Sequence, residues 1–536
     1  MPDSGLKYVA EPGVPSTVSA LLEARAEATP DARFLSFEDS TLSFGEMVAR
    51  ADRTAAGLAA LGVGEGTKVA VLLPNSLEIL DTWFACSLMG AVLVPVNTGL
   101  VGEGLRYILE HSEAELLVVD SELLETLEAA WPIGEGLTKR FVRGDAAGLP
   151  NGYEPYVALT EAGERGPRAT VGPGTLASIL YTSGTTGLPK GVMNCHNSYV
   201  TAALEFARSY VRMREDDVLY TSLPLFHVNA QSLSTLGSIV SGRPLVLSPR
   251  FSASRFFADL AAHEATVFNY IGAMLTMLYK QPEGPHDAEN KVRLTVGGAA
   301  PAELWRDFEA RFGLEVLEIY GLTESATFCC GSPPEDIRPG KIGKAVGWSE
   351  VKVVGPDDEE LAADEPGEIV VRSKVPDTLF QGYYKNEEAT SESMVGGWFH
   401  TGDRGSRDAD GYFAFIDRLK DSIRRRGENI SSYEVERVVN GHPEVAESAA
   451  YGVPSDLGED EVMVTVVPRG DEKDVDCEEL VAFCEERMAK FMVPRYVRVQ
   501  EALPKTATQR VQKFELRKLG TEGAWDRLAS AEQIKR

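Results

Sequence analysis

Apolar and polar residues form two different patterns along the first 340 or so residues of the chain. Short, almost wholly apolar runs at 68–73 and 91–96 are typical of strands covered on both faces of a parallel sheet. Between such runs lie segments with the helical period. The clearest is 44–61, where Ser43 and Glu46 have the spacing of a capping box. The alternation predicts an α/β fold in which helices cover parallel or mixed sheets. It predicts further helices at 17–29, 76–89, 102–111 and 197–210, and strands at 114–119, 176–180, 218–222, 244–247, 267–270, 293–296 and 315–320.

The pattern of apolar and polar residues changes after about residue 340, where short stretches of alternating polarity are separated by turn sequences. This pattern predicts an antiparallel β subdomain at about 340–418, followed by a smaller α+β unit. We therefore expect a large N-terminal domain at 1–418 and a C-terminal domain at 419–536. The predicted strands are 351–354, 368–372, 412–416, 445–453 and 461–468, and the predicted helices are 435–440 and 477–488.

The composition narrows the range of functions. The 536 residues include 81 acidic and 53 basic side chains, and the net charge of −28 argues against a nucleic acid or an anionic membrane as partner. The most apolar stretch, 83–96, is too short to span a bilayer, and residues 1–14 lack the pattern of a signal peptide. The six cysteines are scattered except for Cys329 and Cys330, which we interpret as two small apolar residues rather than a redox pair. These features predict a cytoplasmic protein with a small-molecule partner; they make no prediction of its oligomeric state.

The densest chemical signal is the run 181–191, which reads YTSGTTGLPKG. Its glycines let the backbone wrap around an anion, its hydroxyl side chains donate hydrogen bonds, and Lys190 supplies positive charge. The run follows the predicted strand 176–180 and precedes the predicted helix 197–210. We therefore expect a strand–loop–helix phosphate cradle, although the spacing is not that of a Walker A loop.

This run closely resembles the phosphate-loop signature of the adenylate-forming superfamily, which includes acyl-CoA synthetases, peptide-synthetase adenylation domains and beetle luciferases. Further motifs similar to those of the superfamily follow in the same order over nearly the whole chain, which makes the resemblance specific. It implies a large N-terminal domain and a mobile C-terminal domain with a hinge near Lys420. The matching runs are 225–227 (LFH), 297–301 (GGAAP), 320–324 (YGLTE), 398–403 (WFHTGD) and 417–427 (DRLKDSIRRRG).

The resemblance implies ATP and Mg²⁺ as cofactors and CoA as co-substrate, and it assigns roles to matching residues. A carboxylate can accept both hydroxyls of a vicinal diol, which is the role implied for Asp403 on the ribose. Glu324 would be an oxygen ligand of Mg²⁺, with Thr185 beside it. The other implied contacts are Thr182, Ser183, Gly184, Thr185, Thr186, Gly187 and Lys190 for the β- and γ-phosphates, Thr323 for the α-phosphate, Gly298, Ala299 and Tyr320 for adenine, and Arg418 for the ribose.

The implied reaction has two halves. A carboxylate oxygen of the substrate attacks the α-phosphorus of ATP, which gives an acyl-adenylate and pyrophosphate. The C-terminal domain then swings about Lys420, and a thiol attacks the acyl carbon. Gly427 would line the pantetheine channel, because a glycine lets the backbone approach closely. His227 would gate the thiol tunnel, and the alternative for His227 is a packing role beside Phe226.

One motif departs from the family pattern. Most relatives carry P-K-T-x-x-G-K near the end, and the last lysine bridges carboxylate and phosphate, whereas 503–513 reads LPKTATQRVQK. Arg510 stands at the lysine position and keeps the charge, although arginine and lysine are not interchangeable in a tight site. We favour Arg510 in this role. The alternatives are Lys505 or Lys513 as replacement, a slower adenylation step, or a shifted substrate.

The run 227–231 (HVNAQ) bears on the substrate. In the similar peptide-synthetase domains an Asp just after the aromatic motif pairs the ammonium group of an α-amino acid, and the absence of an acidic residue here argues against such a substrate. Asn229 and Gln231 are able to bind a polar tail. Small polar, branched and aromatic acids all remain open as substrates, and a long fatty acid is disfavoured. The runs 271–274 and 426–429 resemble most the carnitine/crotonobetaine–CoA ligase branch. The predicted pocket residues are Val228, Asn229, Tyr270, Gly272, Gly297 and Thr327.

Together these features favour an AMP-forming acid–CoA ligase. The alternative is an adenylating enzyme with another acceptor, such as a carrier protein, an amine or nitrite, which the departure at Gln509-Arg510 favours. A nucleotide-binding regulator without turnover is disfavoured by the nearly intact ATP motifs.

Overall fold

The structure is a computed structural model that describes residues 14–131, 137, 139–145, 147–182, 189–325, 327–418, 423–425, 428–454, 460–470, 474–488, 490–505 and 511–529. The described helices are α1 (Val18–Ala28), α2 (Phe44–Ala60), α3 (Leu77–Met89), α4 (Gly102–His111), α5 (Leu124–Ala130), α6 (Val157–Thr160), α7 (His196–Leu204), α8 (Leu236–Ser241), α9 (Phe256–Ala262), α10 (Gly272–Tyr279), α11 (His286–Glu289), α12 (Trp305–Phe312), α13 (Glu387–Ser393), α14 (Ser432–Asn440), α15 (Cys477–Glu485) and α16 (Lys513–Lys518).

The described strands are β1 (Arg33–Phe37), β2 (Ser40–Ser43), β3 (Lys68–Leu72), β4 (Val92–Pro95), β5 (Leu116–Asp120), β6 (Arg140–Arg143), β7 (Tyr153–Pro155), β8 (Leu176–Thr182), β9 (Lys190–Cys195), β10 (Leu219–Thr221), β11 (Leu245–Leu247), β12 (Val267–Ile271), β13 (Leu294–Gly298), β14 (Glu315–Tyr320), β15 (Cys330–Gly331), β16 (Lys344–Ala345), β17 (Ser349–Val354), β18 (Gly367–Ser373), β19 (Met394–Val395), β20 (Trp398–Arg407), β21 (Phe413–Arg418), β22 (Ile423–Arg425), β23 (Glu428–Ile430), β24 (Val445–Pro454), β25 (Asp460–Pro468), β26 (Tyr496–Val499) and β27 (Trp525–Asp526).

The starts of helices α2 and α3 follow from local hydrogen bonding. At α2, Ser43 Oγ accepts a bond from the N–H of Glu46 at 3.1 Å, and the Glu46 carboxylate accepts one from the N–H of Ser43 at 2.7 Å. The predicted capping box is therefore confirmed. At α3, Ser76 caps the first turn and Gly90, in the left-handed conformation, ends the helix. Both α3 and β4 are buried, as the apolar run 83–96 predicts.

Two large sheets form the body of the N-terminal region. The nine-stranded sheet has the order β16-β15-β14-β13-β12-β10-β11-β1-β2, and the seven-stranded sheet has the order β7-β6-β5-β3-β4-β8-β9. Most neighbours are parallel, with antiparallel pairs at the edges. The predicted α/β fold is confirmed. Since parallel strands present their carboxyl ends at one edge, the ends of β12, β13 and β14 form a common rim, which is where α/β proteins bind ligands.

The run 181–191 differs from its prediction. The strand that follows it, β9, pairs antiparallel with β8, and Thr182 lies opposite Lys190. Helix α7 begins only at His196, after β9. The run therefore includes the connection between the two strands of a β-hairpin, and β9 lies between it and α7, because the polar stretch is followed by residues that pair with β8. Residues 183–188 themselves lie outside the described residues.

The β subdomain and the C-terminal region each have their own sheet. Strands β17 to β21 form a five-stranded antiparallel sheet, and β24 to β27 form a four-stranded sheet next to the hairpin β22–β23. Separate apolar clusters lie under the four-stranded sheet, so this region has its own core. The domain boundary at 418/419 stays a prediction. No helix in the described part of the chain is long and apolar enough to cross a membrane.

Two helical glycines test how tightly this body is packed. A Cβ atom at Gly57 in α2 would overlap the backbone of Leu159, whereas one at Gly104 in α4 would meet only Leu100 at 3.8 Å. Alanine in place of glycine stabilises a helix by up to about 1 kcal/mol where there is space. We expect Gly104→Ala to raise the free energy of unfolding by about that amount. Overpacking should make Gly57→Ala lower it by about 1–3 kcal/mol. Urea denaturation measures both; changes of the same sign would contradict the packing.

Candidate active site

A carboxylate, a tyrosine and an arginine meet at the carboxyl end of β14. Asp403 and Arg418 lie opposite each other on β20 and β21, with Arg418 Nε 3.0 Å from Asp403 Oδ1. Tyr320 donates its hydroxyl to Asp403 Oδ2 over 2.7 Å. Burial, together with the negative charge of Asp403, raises the pKa of Tyr320, so this hydroxyl stays protonated and remains a donor. The structure thus brings together three residues that the sequence assigns to ribose and adenine.

Glu318 holds the turn at 298–300, which the sequence assigns to the adenine side. Its Oε1 accepts a bond from the N–H of Ala299 at 2.5 Å, and its Oε2 accepts one from the N–H of Ala300 at 3.0 Å. The turn needs such support because Ala299 has a φ of +66°. The hydroxyl of Tyr270 donates to Oε2 at 2.7 Å. Burial raises the pKa of Glu318 to about 8, against the opposing effect of these bonds, so the carboxyl is mostly protonated at neutral pH.

Tyr383 connects Lys190 with Glu324. Its hydroxyl donates to Glu324 Oε1 at 2.9 Å, and Lys190 Nζ lies 4.7 Å from the centroid of its ring. The backbone N–H of Phe380 donates to the carbonyl of Glu324 at 2.9 Å, which fixes the segment 380–384 beside the site. Lys190, which the sequence assigns to phosphate, therefore contacts the ring of Tyr383, and Glu324, which it assigns to the metal, binds the hydroxyl of the same residue.

The carboxylate of Glu324 fits a hard cation such as Mg²⁺. Burial raises its pKa, while the bond from Tyr383 and the charge of Arg418 act in the opposite direction. A nearby cation stabilises a carboxylate in such a position. In the described ranges no group of three or more His, Cys, Asp or Glu residues can hold a metal. Mg²⁺ is usually bound by one or two carboxylates together with substrate phosphates.

The turn after β10 lies beside the carboxyl end of β12. His227 packs edge-on against Phe226 with 4.7 Å between ring centroids, and burial lowers its pKa to about 4, so the imidazole is neutral at physiological pH. Its Nε2 is buried and has no hydrogen-bond partner among the described residues. Two residues on, Asn229 Oδ1 accepts a bond from Asn269 Nδ2 at 3.0 Å.

Gln231 is not available for a substrate, contrary to the prediction. Its Nε2 donates to the carbonyl of Leu225 at 2.7 Å, and its Oε1 accepts from the hydroxyl of Tyr199 at 2.8 Å. The side chain is buried in a π-helical turn, Asn229–Thr235. Both ends of the carboxamide are therefore engaged inside the fold.

The other predicted pocket residues have different surroundings. Tyr270 is fully buried, and its hydroxyl supports the turn at 298–300 through Glu318. A Cβ at Gly272 or at Gly297 would overlap neighbouring backbone, so only glycine fits there. Thr327 has a φ of +90°, and its buried Oγ1 has no partner among the described residues. Val228 is partly buried against the N-terminal core.

Hydrogen bonds cross the position of the predicted hinge. Asp417, next to the ribose residue Arg418, accepts bonds from the N–H and the Oγ of Ser432 at 2.6 and 3.0 Å. Ser432 is the first residue of α14 and is fully buried. These bonds fix α14 relative to the end of β21.

The two lysines named as alternatives to Arg510 are both paired within the C-terminal region. Lys505 Nζ lies 2.5 Å from Glu447, and Lys513 Nζ lies 2.9 Å from Glu436. Lys513 also donates to Ser432 Oγ at 2.6 Å. Moving either lysine to a phosphate would break an existing ion pair.

Several predicted residues lie outside the described residues, and their roles stay predictions. They are Ser183, Gly184, Thr185, Thr186 and Gly187 of the hairpin tip, Lys420 of the hinge, and Gly427, Gln509 and Arg510 of the C-terminal region.

Three residues of the site were missed by the sequence analysis. Tyr383 is one of two adjacent tyrosines after a glycine in a polar stretch, which is a usable signal. Glu318 and Asn269 are polar residues with apolar neighbours on both sides inside predicted strands, a pattern that predicts a buried side chain with a hydrogen-bonding role. Neither signal identifies the residue or ligand to which the side chain binds.

The sequence profile of the AMP-binding enzyme family matches residues 22–384, which is more than half of the chain, and that of the AMP-binding enzyme C-terminal domain matches residues 434–510. This protein belongs to the AMP-binding enzyme family. The predicted resemblance to adenylate-forming enzymes is thereby confirmed.

Similar proteins within the AMP-binding family are CoA ligases. Sulfoacetate–CoA ligase of Cupriavidus necator is 33% identical over 94% of this chain and 98% of its own length. A crotonobetaine/carnitine–CoA ligase of Salmonella agona is 32% identical over 89% of this chain and 93% of its own length. The crystal structure of the anthranilate CoA ligase AuaEII with anthranoyl-AMP has a TM-score of 0.86, with 27% identity, and covers 94% of this chain and 98% of its own. These comparisons favour an acid–CoA ligase over an adenylating enzyme with another acceptor.

The protonated carboxyl of Glu318 predicts a pH-dependent stability of this AMP-binding enzyme. Its pKa is higher in the folded than in the unfolded chain, so the stabilisation is complete below the unfolded value and is lost as the pH rises towards about 8. Glu318→Gln does not titrate. We expect the decrease in unfolding free energy between pH 5 and pH 8 to be smaller in the variant, on the order of 1–3 kcal/mol.

Urea denaturation at both pH values measures this difference. The exposed Glu122→Gln is the matched control and should behave as the wild type. Identical pH dependence of Glu318→Gln and the wild type would show that Glu318 is ionised in the fold.

Proposed function

We propose that this protein activates a small carboxylic acid with ATP and Mg²⁺ as an acyl-adenylate and then transfers the acyl group to the thiol of CoA. The observation that carries the proposal is the arrangement along 320–324, where Tyr320 binds Asp403 and Glu324 binds Tyr383. The first pair suits a ribose and the second suits the phosphate and metal end of the same nucleotide. All six cysteines are free thiols, which agrees with a reducing compartment such as the cytoplasm.

The nucleotide contacts follow from the charges at the site. Asp403 accepts the ribose hydroxyls, because each oxygen of a carboxylate can accept more than one hydrogen bond. Lys190 and the hairpin tip bind the β- and γ-phosphates, and Thr323 contacts the α-phosphate. Glu324 holds Mg²⁺ with the phosphates. The ion neutralises phosphate charge when bound.

In the first half-reaction a carboxylate oxygen of the acid bonds to the α-phosphorus. The bond between the α-phosphorus and the oxygen that bridges it to the β-phosphate breaks, so pyrophosphate leaves. In the second, the sulfur of CoA bonds to the acyl carbon, the thiol proton is lost to solvent or base, and AMP leaves. His227 stands on the acyl side as a neutral imidazole, which can accept a proton or orient a thiol without repelling it.

We assign to Arg510 the cation that bridges acid and phosphate. Lys505 and Lys513 are engaged with Glu447 and Glu436, so using either one would leave a carboxylate unpaired. An arginine can contact carboxylate and phosphate oxygens at the same time through its planar fork. The rotation of the residues after 419 about Lys420, which exchanges Arg510 for Gly427 at the site, is part of the same proposal.

Product analysis by mass spectrometry tests the proposal directly. We expect a panel of small acids with ATP, Mg²⁺ and CoA to give AMP, pyrophosphate and one or more acyl-CoA masses. Lys190→Ala and Glu324→Gln should each lower the rate of AMP formation by about 100-fold, since each removes a charge that stabilises the reacting phosphate. Lys291→Ala, an exposed lysine paired with Glu264, is the matched control. AMP without any thioester, or full activity of both variants, would contradict the proposal.

Separate half-reaction assays test the role of Arg510. We expect Arg510→Ala to slow acid-dependent ATP–pyrophosphate exchange by about 100-fold. The same variant should transfer a supplied acyl-adenylate to CoA at a nearly normal rate, because Arg510 acts only in the first step. Lys505→Ala should keep both rates. An equal loss of exchange in Lys505→Ala would assign the bridging charge to the lysine instead.

A further inference from the structure

The carboxamides of the partly exposed Asn229 and the buried Asn269 form a polar pair whose hydrogen-bonding capacity is not used up. Asn269 Nδ2 donates to Asn229 Oδ1 at 3.0 Å. Asn269 is 1% exposed, and its Oδ1 has no partner among the described residues. A buried acceptor without a donor is costly, so an unpartnered one marks a place where another molecule donates.

The pair lies where the acyl group is expected. Asn269 is the middle residue of β12 and shares its strand face with Ile271, the last residue of the strand, which is 39% exposed. Asn229 begins a π-helical turn only two residues after His227, and π-helical turns are frequent at functional sites. The pair therefore connects the His227 turn to the open rim of the nine-stranded sheet.

A second unpartnered group lies in the predicted pocket. Thr327 Oγ1 is buried without a partner in the described part of the chain, and the residue has a left-handed φ that a branched side chain rarely adopts. Thr327 was assigned to the pocket from the sequence, independently of Asn269. Two buried polar atoms are thus left for a ligand.

The same surroundings carry no full charge. Among the described residues at 227–231, 269–272, 297–300 and 327 there is no Asp, Glu, Lys or Arg, and His227 is neutral. The carboxyl group of Glu318 is occupied by two backbone N–H groups and Tyr270. A charged substrate tail would be desolvated without a counter-ion, and a purely alkyl tail would leave the buried oxygens unsatisfied.

We infer that the acid activated by this protein ends in an uncharged group that donates a hydrogen bond, such as a hydroxyl or a carboxamide, which binds Asn269 Oδ1. The inference rests on the proposed function, since it specifies the acid of that reaction. It sets this chain apart from the sulfoacetate and carnitine ligases among its relatives, whose named substrates carry a sulfonate and a trimethylammonium group.

Matched acids that differ only in the terminal group test the inference. The series X–(CH₂)n–COOH, with n of one, two and three, carries methyl, hydroxyl, carboxamide, carboxylate, sulfonate or trimethylammonium as X. The measured quantity is kcat/KM for AMP formation in the presence of CoA. Within the best spacer length we expect the hydroxyl or carboxamide acid to exceed the methyl and all charged acids by tenfold or more.

A methyl or charged acid as the best substrate would overturn the inference and leave the proposed function intact. If no acid of the series, nor benzoate and anthranilate as aromatic additions, releases pyrophosphate or forms a thioester, the proposed function fails and the inference with it. A preference for benzoate over the hydroxyl and carboxamide acids and over anthranilate, whose neutral amino group also donates, would overturn only the inference if thioester is formed.

Two variants assign the preference to the carboxamide pair. We expect Asn269→Leu to reduce the ratio of kcat/KM for the hydroxyl or carboxamide acid to that for the methyl acid by tenfold or more, mostly through KM. Asn229→Leu should reduce it in the same direction, and this residue is partly exposed, so it remains informative if the buried substitution impairs folding. The exposed Asn151→Leu is the matched control. An unchanged ratio in both pocket variants would overturn the assignment.

Discussion

Three carboxyl groups are withdrawn from water around the carboxyl end of β14, and each needs hydrogen-bond donors that only distant parts of the chain supply. Burying a carboxyl group without partners costs several kcal/mol, so these requirements constrain how the elements pack. Meeting them joins β12, β13 and β14 to the segment 380–384 and to the hairpin β20–β21. The donors are the 299–300 backbone and Tyr270 for Glu318, Tyr383 for Glu324, and Tyr320 and Arg418 for Asp403.

The same constraint positions the carboxylates at the two ends of the proposed nucleotide site. Asp403 and Glu324 are fixed through tyrosines whose own positions depend on the sheet and on β9. The hairpin strand that carries Lys190 is attached to Glu324 by the ring of Tyr383. The residues proposed to contact ribose and phosphate are therefore positioned by one packed cluster, which is the preorganisation that phosphoryl chemistry requires.

The acyl side of the site follows a different principle. There the buried side-chain oxygens of Asn269 and Thr327 have no partner among the described residues, and the nearby His227 is neutral. The nucleotide end is thus rich in charge and the acid end is polar but neutral. Asp417 and Ser432 connect this body to the C-terminal region by hydrogen bonds across the predicted hinge.

Features that depend on neighbouring residues could be predicted from the amino-acid order. The capping box of Ser43 and Glu46, the helix at 102–111, the buried strands and the α/β class all rest on local periodicity and short-range hydrogen bonds, and the structure has them. The ordered motifs also identified the family. The helix predicted at 197–210 is present, but the strand β9 before it was missed, because pairing of β9 with β8 is a contact that the local pattern does not contain.

Which polar side chains are free could be read only from the folded chain. The sequence predicts that Gln231 is available for a substrate, but the hydroxyl of Tyr199, 32 residues away, donates a hydrogen bond to its carboxamide oxygen. Asn269 donates a hydrogen bond to Asn229, 40 residues away, and Tyr383 donates one to Glu324, 59 residues away. Local sequence reports that a residue is polar and in a strand, but hydrogen-bond satisfaction depends on partners that chain folding brings near, and no local pattern contains them.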